Sequence, residues 1–193
     1  MKFNTQKIVV FASGSGSNAE QIIQHFSSRP NILVAKIYVN NPQAYVLERA
    51  KRHQIESKVF DRSYFLSHQG LILDLSQENP DLIVLAGFLW KIPEMIVKAY
   101  PNKIINIHPA LLPKFGGKGM FGMNVHRAVI DSGESESGIT IHYVNENYDE
   151  GAIIMQATVS VETSDTPESL AQKIHKLEHQ HYPITIEKTL ISR

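Results

Sequence analysis

Lys7-Ile-Val-Val-Phe-Ala-Ser-Gly-Ser-Gly-Ser-Asn18 is the stretch that decides the fold. Ile8-Val9-Val10-Phe11 is apolar on both sides of an extended chain, so Lys7 to Ala12 reads as a fully buried strand. Ser13 to Asn18 is a glycine loop, and a helix is expected from about Ala19 to Phe26, with Ile22, Ile23 and Phe26 facing inward. Strand, glycine loop and helix in that order make an anion site: glycines let the backbone approach, and the first helical N–H groups face the ligand. A phosphate is expected there. Gly14-x-Gly16-x-x-Ala19 also satisfies the dinucleotide pattern. That pattern wants an acid after the second strand for the ribose hydroxyls, but Ile32 to Val39 runs into Asn40-Asn41-Pro42. No Gly-Lys-Ser/Thr follows, which excludes a Walker A loop. A phosphate monoester is the preferred reading over a structural turn or a dinucleotide.

The alternation continues outward. A helix from about Ala44 to His53, a short strand at Lys58-Val59-Phe60, a helix from about Ser63 to Glu78 and a strand from Leu82 to Ala86 follow in turn. Pro93 opens another helix through about Ala99. Repeated units of this kind predict an α/β, Rossmann-like fold: a mostly parallel twisted sheet with helices on both faces. Gly138 to Val144 and Ala152 to Val161 read as an antiparallel pair added at the sheet's edge. The connections are short, and residues 1–193 are expected to form one domain.

Composition narrows the function. Lys plus Arg equals Asp plus Glu at 19 each, with no basic run, so no broad nucleic-acid or anionic-membrane surface is expected. The absence of cysteine rules out disulfides and thiolate metal sites, whereas nine histidines keep His/carboxylate sites open. The N-terminus is too polar for a signal peptide and no apolar run reaches spanning length, so a cytoplasmic location is expected.

Ile104-Ile-Asn-Ile-His-Pro-Ala-Leu-Leu-Pro113 carries the candidate chemistry. It reads as a buried strand with Asn106 and His108 on one side, ended by Pro109 at the carboxyl edge where open α/β sheets bind ligands. An amide can donate to a developing oxyanion, and an imidazole can exchange a proton near neutral pH, which suits acyl transfer. A turn-capping Asn106 and a core His108 are the plainer reading of those two residues alone. Phe88, Leu89 and Trp90 follow another carboxyl edge, where they read equally as a pocket wall and as core. The four-glycine loop around Phe115 to Met123 reads as a lid or as a flexible connector, with Asn124 capping the helix Val125 to Asp131. Asp149 lies in the loop between the antiparallel strands, either facing His108 or serving a turn.

Thr166-Pro167-Glu168 starts a last helix in which Leu170, Ile174 and Leu177 face inward, and Pro183 is expected to kink or interrupt it. His175, Glu178, His179 and Tyr182 form a second stripe. His175-x-x-Glu178-His179 matches one zinc peptidase arrangement, but the third ligand that chemistry needs downstream is missing, so no metal is expected.

Taken together, Ser13-Gly14-Ser15-Gly16-Ser17-Asn18, Leu85-Ala86-Gly87-Phe88, Asn106-x-His108-Pro-Ala-Leu-Leu-Pro113-Lys114, His126-Arg127-Ala128 and Tyr148-Asp149-x-Gly151-Ala-Ile-Ile-Met-Gln156 resemble the phosphoribosylglycinamide formyltransferases, folate-dependent enzymes of de novo purine synthesis. The motifs stand in family order and cover nearly the whole chain. Enzymes that formylate methionyl-tRNA are similar in the catalytic half but carry a further C-terminal domain. The resemblance implies small-molecule partners: 10-formyltetrahydrofolate as co-substrate and a glycinamide ribonucleotide. It implies that Gly16, Ser17 and Asn18 hold the phosphate, with Glu178 near the ribose phosphate or amine. It further implies that Leu89, Trp90, Lys91, Ile92 and Asn145 to Asp149, with Tyr148 among them, hold the pterin, and that Asn106, His108 and Asp149 form the catalytic trio. Arg62 falls within about one residue of a folate-contacting arginine of the family. Trp90 stands where the family usually has Arg, and the Phe115 to Met123 loop is longer and richer in glycine than the usual connector. The implied mechanism is direct transfer through a tetrahedral intermediate, its oxyanion stabilised by Asn106 and a protonated His108, with Asp149 raising the imidazole's pKa. Formylation of another amine, such as an amino sugar nucleotide, and a non-catalytic nucleotide- or folate-binding module are the alternatives.

Overall fold

The computed structural model describes residues 5–192. Among them, the strands β1 (Gln6–Ala12), β2 (Ile32–Val39), β3 (Glu56–Val59), β4 (Leu82–Leu85), β5 (Ile104–His108), β6 (Glu136–Tyr143) and β7 (Ile153–Ser160) form one sheet in the order β3-β2-β1-β4-β5-β6-β7. β1 to β5 run parallel, and β6 and β7 are antiparallel. The helices are α1 (Ser17–Phe26), α2 (Val46–Arg52), α3 (Arg62–Leu66), α4 (Leu71–Glu78), α5 (Glu94–Ala99), α6 (Met123–Asp131) and α7 (Pro167–Ile191). None is long and apolar enough to cross a membrane.

β4 is apolar at every position, and β1 from Ile8 onward, because both faces are covered. Ile8, Val10, Leu82, Val84, Ile105 and Ile107 pack with Ile22, Phe26, Ile174 and Ile186 of α1 and α7. Val9, Phe11, Ile83, Leu85 and Ile104 pack on the other face with Phe65, Leu75 and Ile96 of α3, α4 and α5. Strand alternation therefore sends Asn106 and His108 to the second face, beside Ile104.

Two local expectations are corrected and a third is narrowed. The helix expected over Ser63 to Glu78 is two helices, because Ser67 turns extended and its hydroxyl accepts from the Gln69 N–H at 3.1 Å, a local bond that competes with the helical ladder. Asn124 does not cap α6: the cap is Gly122, at φ 54°, and Asn124 instead donates its amide to the Gly119 carbonyl at 3.2 Å. Of the two outcomes expected at Pro183, interruption is excluded, since α7 runs on through it. Leu170, Ile174, Glu178, Tyr182, Ile186 and Leu190 form a buried row at every fourth residue, continuous across the proline. Burying Ile186 and Leu190 gains roughly 3–6 kcal/mol, against about 3 kcal/mol for a helical proline.

Candidate active site

The strand order reverses between β1 and β4, and the loops that leave those two strands open a crevice at the carboxyl edge, where such sheets bind ligands. The loops are tied together: the Ser13 N–H donates to the Gly87 carbonyl at 3.1 Å, and the Leu89 N–H donates to the Ser13 hydroxyl at 2.9 Å. The resulting cleft holds about 640 Å³.

One end of the cleft is the glycine loop. Gly16 sits at φ 70°, where a Cβ would also overlap the Val46 side chain, so the turn into α1 requires glycine. Gly16, Ser17 and Asn18 line the cleft, and so does Glu178 across from them on α7. The Asn18 Nδ2 donates to Glu178 Oε2 at 3.1 Å, while the buried Asn18 Oδ1 has no hydrogen-bond partner. Burial pushes the Glu178 carboxyl up from its ordinary value, against the opposing influence of His175 and the Asn18 amide.

The middle holds the expected trio. In β5, Asn106 lies opposite His142 of the antiparallel β6, so both side chains stand on the same face. The His142 Nδ1 lies 2.9 Å from the Tyr143 carbonyl, which needs a proton on that nitrogen. Its Nε2 is then an acceptor, and the Asn106 Nδ2 donates to it at 3.2 Å. This bond fixes which end of the amide is the donor and leaves the second Nδ2 proton for a ligand. The His108 Nε2 donates to the Phe115 carbonyl at 2.8 Å, so Nδ1 is the nitrogen that faces Asp149, 3.6 Å from Oδ2. The other Asp149 oxygen is 3.7 Å from His142 Nε2. At these separations neither is a hydrogen bond, and each becomes an ion pair only when its imidazole takes up a proton.

Burial pushes the His108 imidazole below its ordinary value, outweighing the upward pull of Asp149 and of the Phe115 carbonyl. Asp149 raises the ring as expected, but the expectation of a protonated His108 is corrected: in a site this buried the cost of charging the ring dominates. His142 is lowered for the same leading reason. Asp149, at φ 56°, accepts the Gly117 N–H at 2.9 Å. The glycine-rich loop is therefore stitched to both His108 and Asp149 by its own backbone.

The far end is walled by Leu89, Trp90, Lys91, Ile92, Val144, Asn145 and Tyr148. Both readings of the aromatics hold, since Phe88 and Trp90 line the cleft and also pack against Phe65, Phe88 tilted and Trp90 edge-on at 5.3 Å between centroids. Arg62 is not part of the lining. Its guanidinium lies 5.1 Å from the centroid of the Trp90 ring.

Sequence reasoning missed His142, whose partners come from the β5–β6 register. Pairing Gly138–Val144 against the Asn106 strand was the signal that could have found it. His126 was noticed only as part of a motif, yet it is buried in the cleft lining with its Nδ1 unpartnered.

Residues 6–186 match the formyl transferase family. The chain is 38% identical over 190 residues to the phosphoribosylglycinamide formyltransferase of Bacillus subtilis (strain 168), covering 96% of this chain and 95% of that one. It is 43% identical to the chloroplastic phosphoribosylglycinamide formyltransferase of Arabidopsis thaliana over 92% of this chain, and it spans 63% of that longer relative. A crystal structure of the phosphoribosylglycinamide formyltransferase from Anaplasma phagocytophilum superposes with a TM-score of 0.88 at 36% identity, covering 97% of this chain and 88% of that one.

Proposed function

The chain belongs to the formyl transferase family, and we propose that it transfers a formyl group from 10-formyltetrahydrofolate to the amine of 5'-phosphoribosylglycinamide in de novo purine biosynthesis. The observation that supports this most is the amide, imidazole and carboxylate of Asn106, His108 and Asp149 lying between a glycine-loop cradle and an apolar wall in one cleft. The cleft suits two ligands. Gly16, Ser17 and Asn18 offer N–H groups to a phosphate, and the unpartnered Asn18 Oδ1 suits a hydroxyl or amine of the same molecule. The pterin fits the slot between Leu89 to Ile92 and Asn145 to Asp149.

The folate supplies an activated formyl group. The substrate amine forms a C–N bond to the formyl carbon, loses a proton, and the bond to the folate nitrogen breaks as that nitrogen gains one. The Asn106 Nδ2, aimed by His142, donates its free proton to the oxyanion. Removing one such donor typically costs roughly 10² to 10³ in rate. His108 acts from its neutral form and accepts a proton at Nδ1, where Asp149 stabilises the resulting charge. General acid–base help of this kind is worth roughly 10² to 10⁴. Holding both substrates in register supplies much of the rest.

The test is a formyl-transfer assay on purified protein with 10-formyltetrahydrofolate, comparing the glycinamide ribonucleotide with an amino sugar nucleotide. Turnover of the ribonucleotide, lost in Asn106→Ala and His108→Ala, is expected. Ligand binding without turnover would instead indicate a sensing module, and full activity in either variant would refute the residue roles.

A further inference from the structure

Resting on the phosphate-cradle reading of the glycine loop, we propose that Arg49 of α2 is a positioning residue for phosphate recognition, acting by locking the orientation of the loop's peptides. Two bonds tie the loop to α2. The Val46 N–H donates to the Gly14 carbonyl at 3.2 Å, and the Arg49 Nε donates to the Ser15 carbonyl at 2.8 Å. These peptides are trans, so each carbonyl points opposite to the N–H of the next residue. Pulling the Gly14 and Ser15 carbonyls toward α2 therefore turns the N–H groups of Ser15 and Gly16 away from it. Both residues line the cleft. With the first-turn N–H groups of α1 they make a continuous row of donors.

Without the guanidinium, the Ser15–Gly16 peptide is free to rotate. A flip would present a carbonyl oxygen where a donor belongs, replacing attraction for an anion with repulsion. Arg49 is itself held. Its Nη1 donates to Glu20 Oε2 at 3.0 Å, Glu20 Oε1 is 2.7 Å from His53 Nε2, and the guanidinium lies 5.1 Å from the Tyr45 ring centroid. Arg49 does not line the cleft, so it works through the loop rather than on the ligand. Its charge is nonetheless felt at His179 on α7, where it adds to burial and to His175 in lowering that imidazole.

The test is steady-state formyl transfer by Arg49→Met and Arg49→Lys, with Arg52→Met as a control. Arg52 also sits over Tyr45, at 5.8 Å, but makes no bond to the loop. In Arg49→Met, the KM for the ribonucleotide and the inhibition constant of inorganic phosphate should each rise about tenfold, with kcat and the folate KM within about twofold of wild type. Arg49→Lys should fall between, because a single ammonium lacks the fork that serves a carbonyl and a carboxylate together. The dephosphorylated substrate should bind the variant and wild type alike. Unchanged phosphate inhibition in Arg49→Met overturns the proposal, as does an equal rise in the folate KM, which would signal a general loss of structure. If wild-type protein is not inhibited by phosphate at all, the cradle reading itself fails, and the role of Arg49 with it.

Discussion

Acid should destabilise this protein through His126. His126 is 3% exposed on α6, and burial, with smaller contributions from His175 and His108, brings its imidazole down to about 4. An unfolded histidine titrates near 6.5, so between those limits the unfolded chain binds the proton that the folded chain refuses. The stability tied to this group is intact above pH 6.5, is lost as pH falls toward 4, and does not change further below. At about 1.4 kcal/mol per pH step, the loss between pH 7 and pH 4.5 is about 2 kcal/mol. With a urea slope of about 2 kcal/mol/M, that is a midpoint shift of about 1 M. The perturbation is His126→Gln, which keeps a polar side chain of similar reach but cannot titrate. Urea midpoints at pH 7, 6, 5 and 4.5 should converge, wild type losing about 1 M more than the variant over the range. His108, His142 and His179 are lowered too, but they are common to both proteins and cancel in the difference. Two parallel curves would refute the reasoning, since they would mean that His126 accepts its proton in the folded state.

Asp149→Asn keeps an oxygen for the Gly117 N–H but removes the charge facing both imidazoles. kcat should fall roughly 10² to 10⁴, and NMR should show His108 titrating lower still, whereas kcat within threefold of wild type would exclude Asp149 from the chemistry. Gly16→Ala should cost about 1–3 kcal/mol in chemical denaturation, because the left-handed φ and the Val46 side chain both oppose a Cβ. Tyr182→Phe strips the hydroxyl that donates to the Leu85 carbonyl at 2.9 Å in the buried row of α7. It should destabilise by about 1–3 kcal/mol in the same assay without altering KM for either substrate.

What the sequence made legible was whatever a short window contains. The apolar runs at Ile8–Phe11 and Leu82–Leu85 announce strands covered on both faces, and the glycine loop after the first of them announces the tight turn into α1. Asn106 and His108 could be placed on one face because a strand's period is two. The break at Ser67 was hidden because it rests on a single hydroxyl choosing a local amide, in a segment whose apolar spacing is otherwise helical. The continuity of α7 through Pro183 was hidden for the opposite reason, since a local breaker lost to burial that only the tertiary structure supplies. That burial would outweigh Asp149 at His108 was hidden because a neighbouring carboxylate can be guessed from a motif, whereas the depth of burial cannot.

The sheet changes direction beside the candidate site, and that coincidence has a physical basis. A parallel neighbour of β5 would need a crossover helix, which would cover the face on which Asn106 and His108 stand. An antiparallel β6 needs no such cover, and its register sets His142 directly opposite Asn106 and Thr140 opposite His108. The connection from β6 to β7 then returns over the same face. Gly151 brings that return within reach of the Tyr143 carbonyl, where any side chain would collide, and the left-handed turn at Asp149 points a carboxylate back at the two imidazoles. Convergence of groups so far apart in the chain thus follows from one switch in strand direction. A substitution at Gly151 should therefore damage turnover as severely as one at Asp149 itself, though Gly151 does not line the cleft.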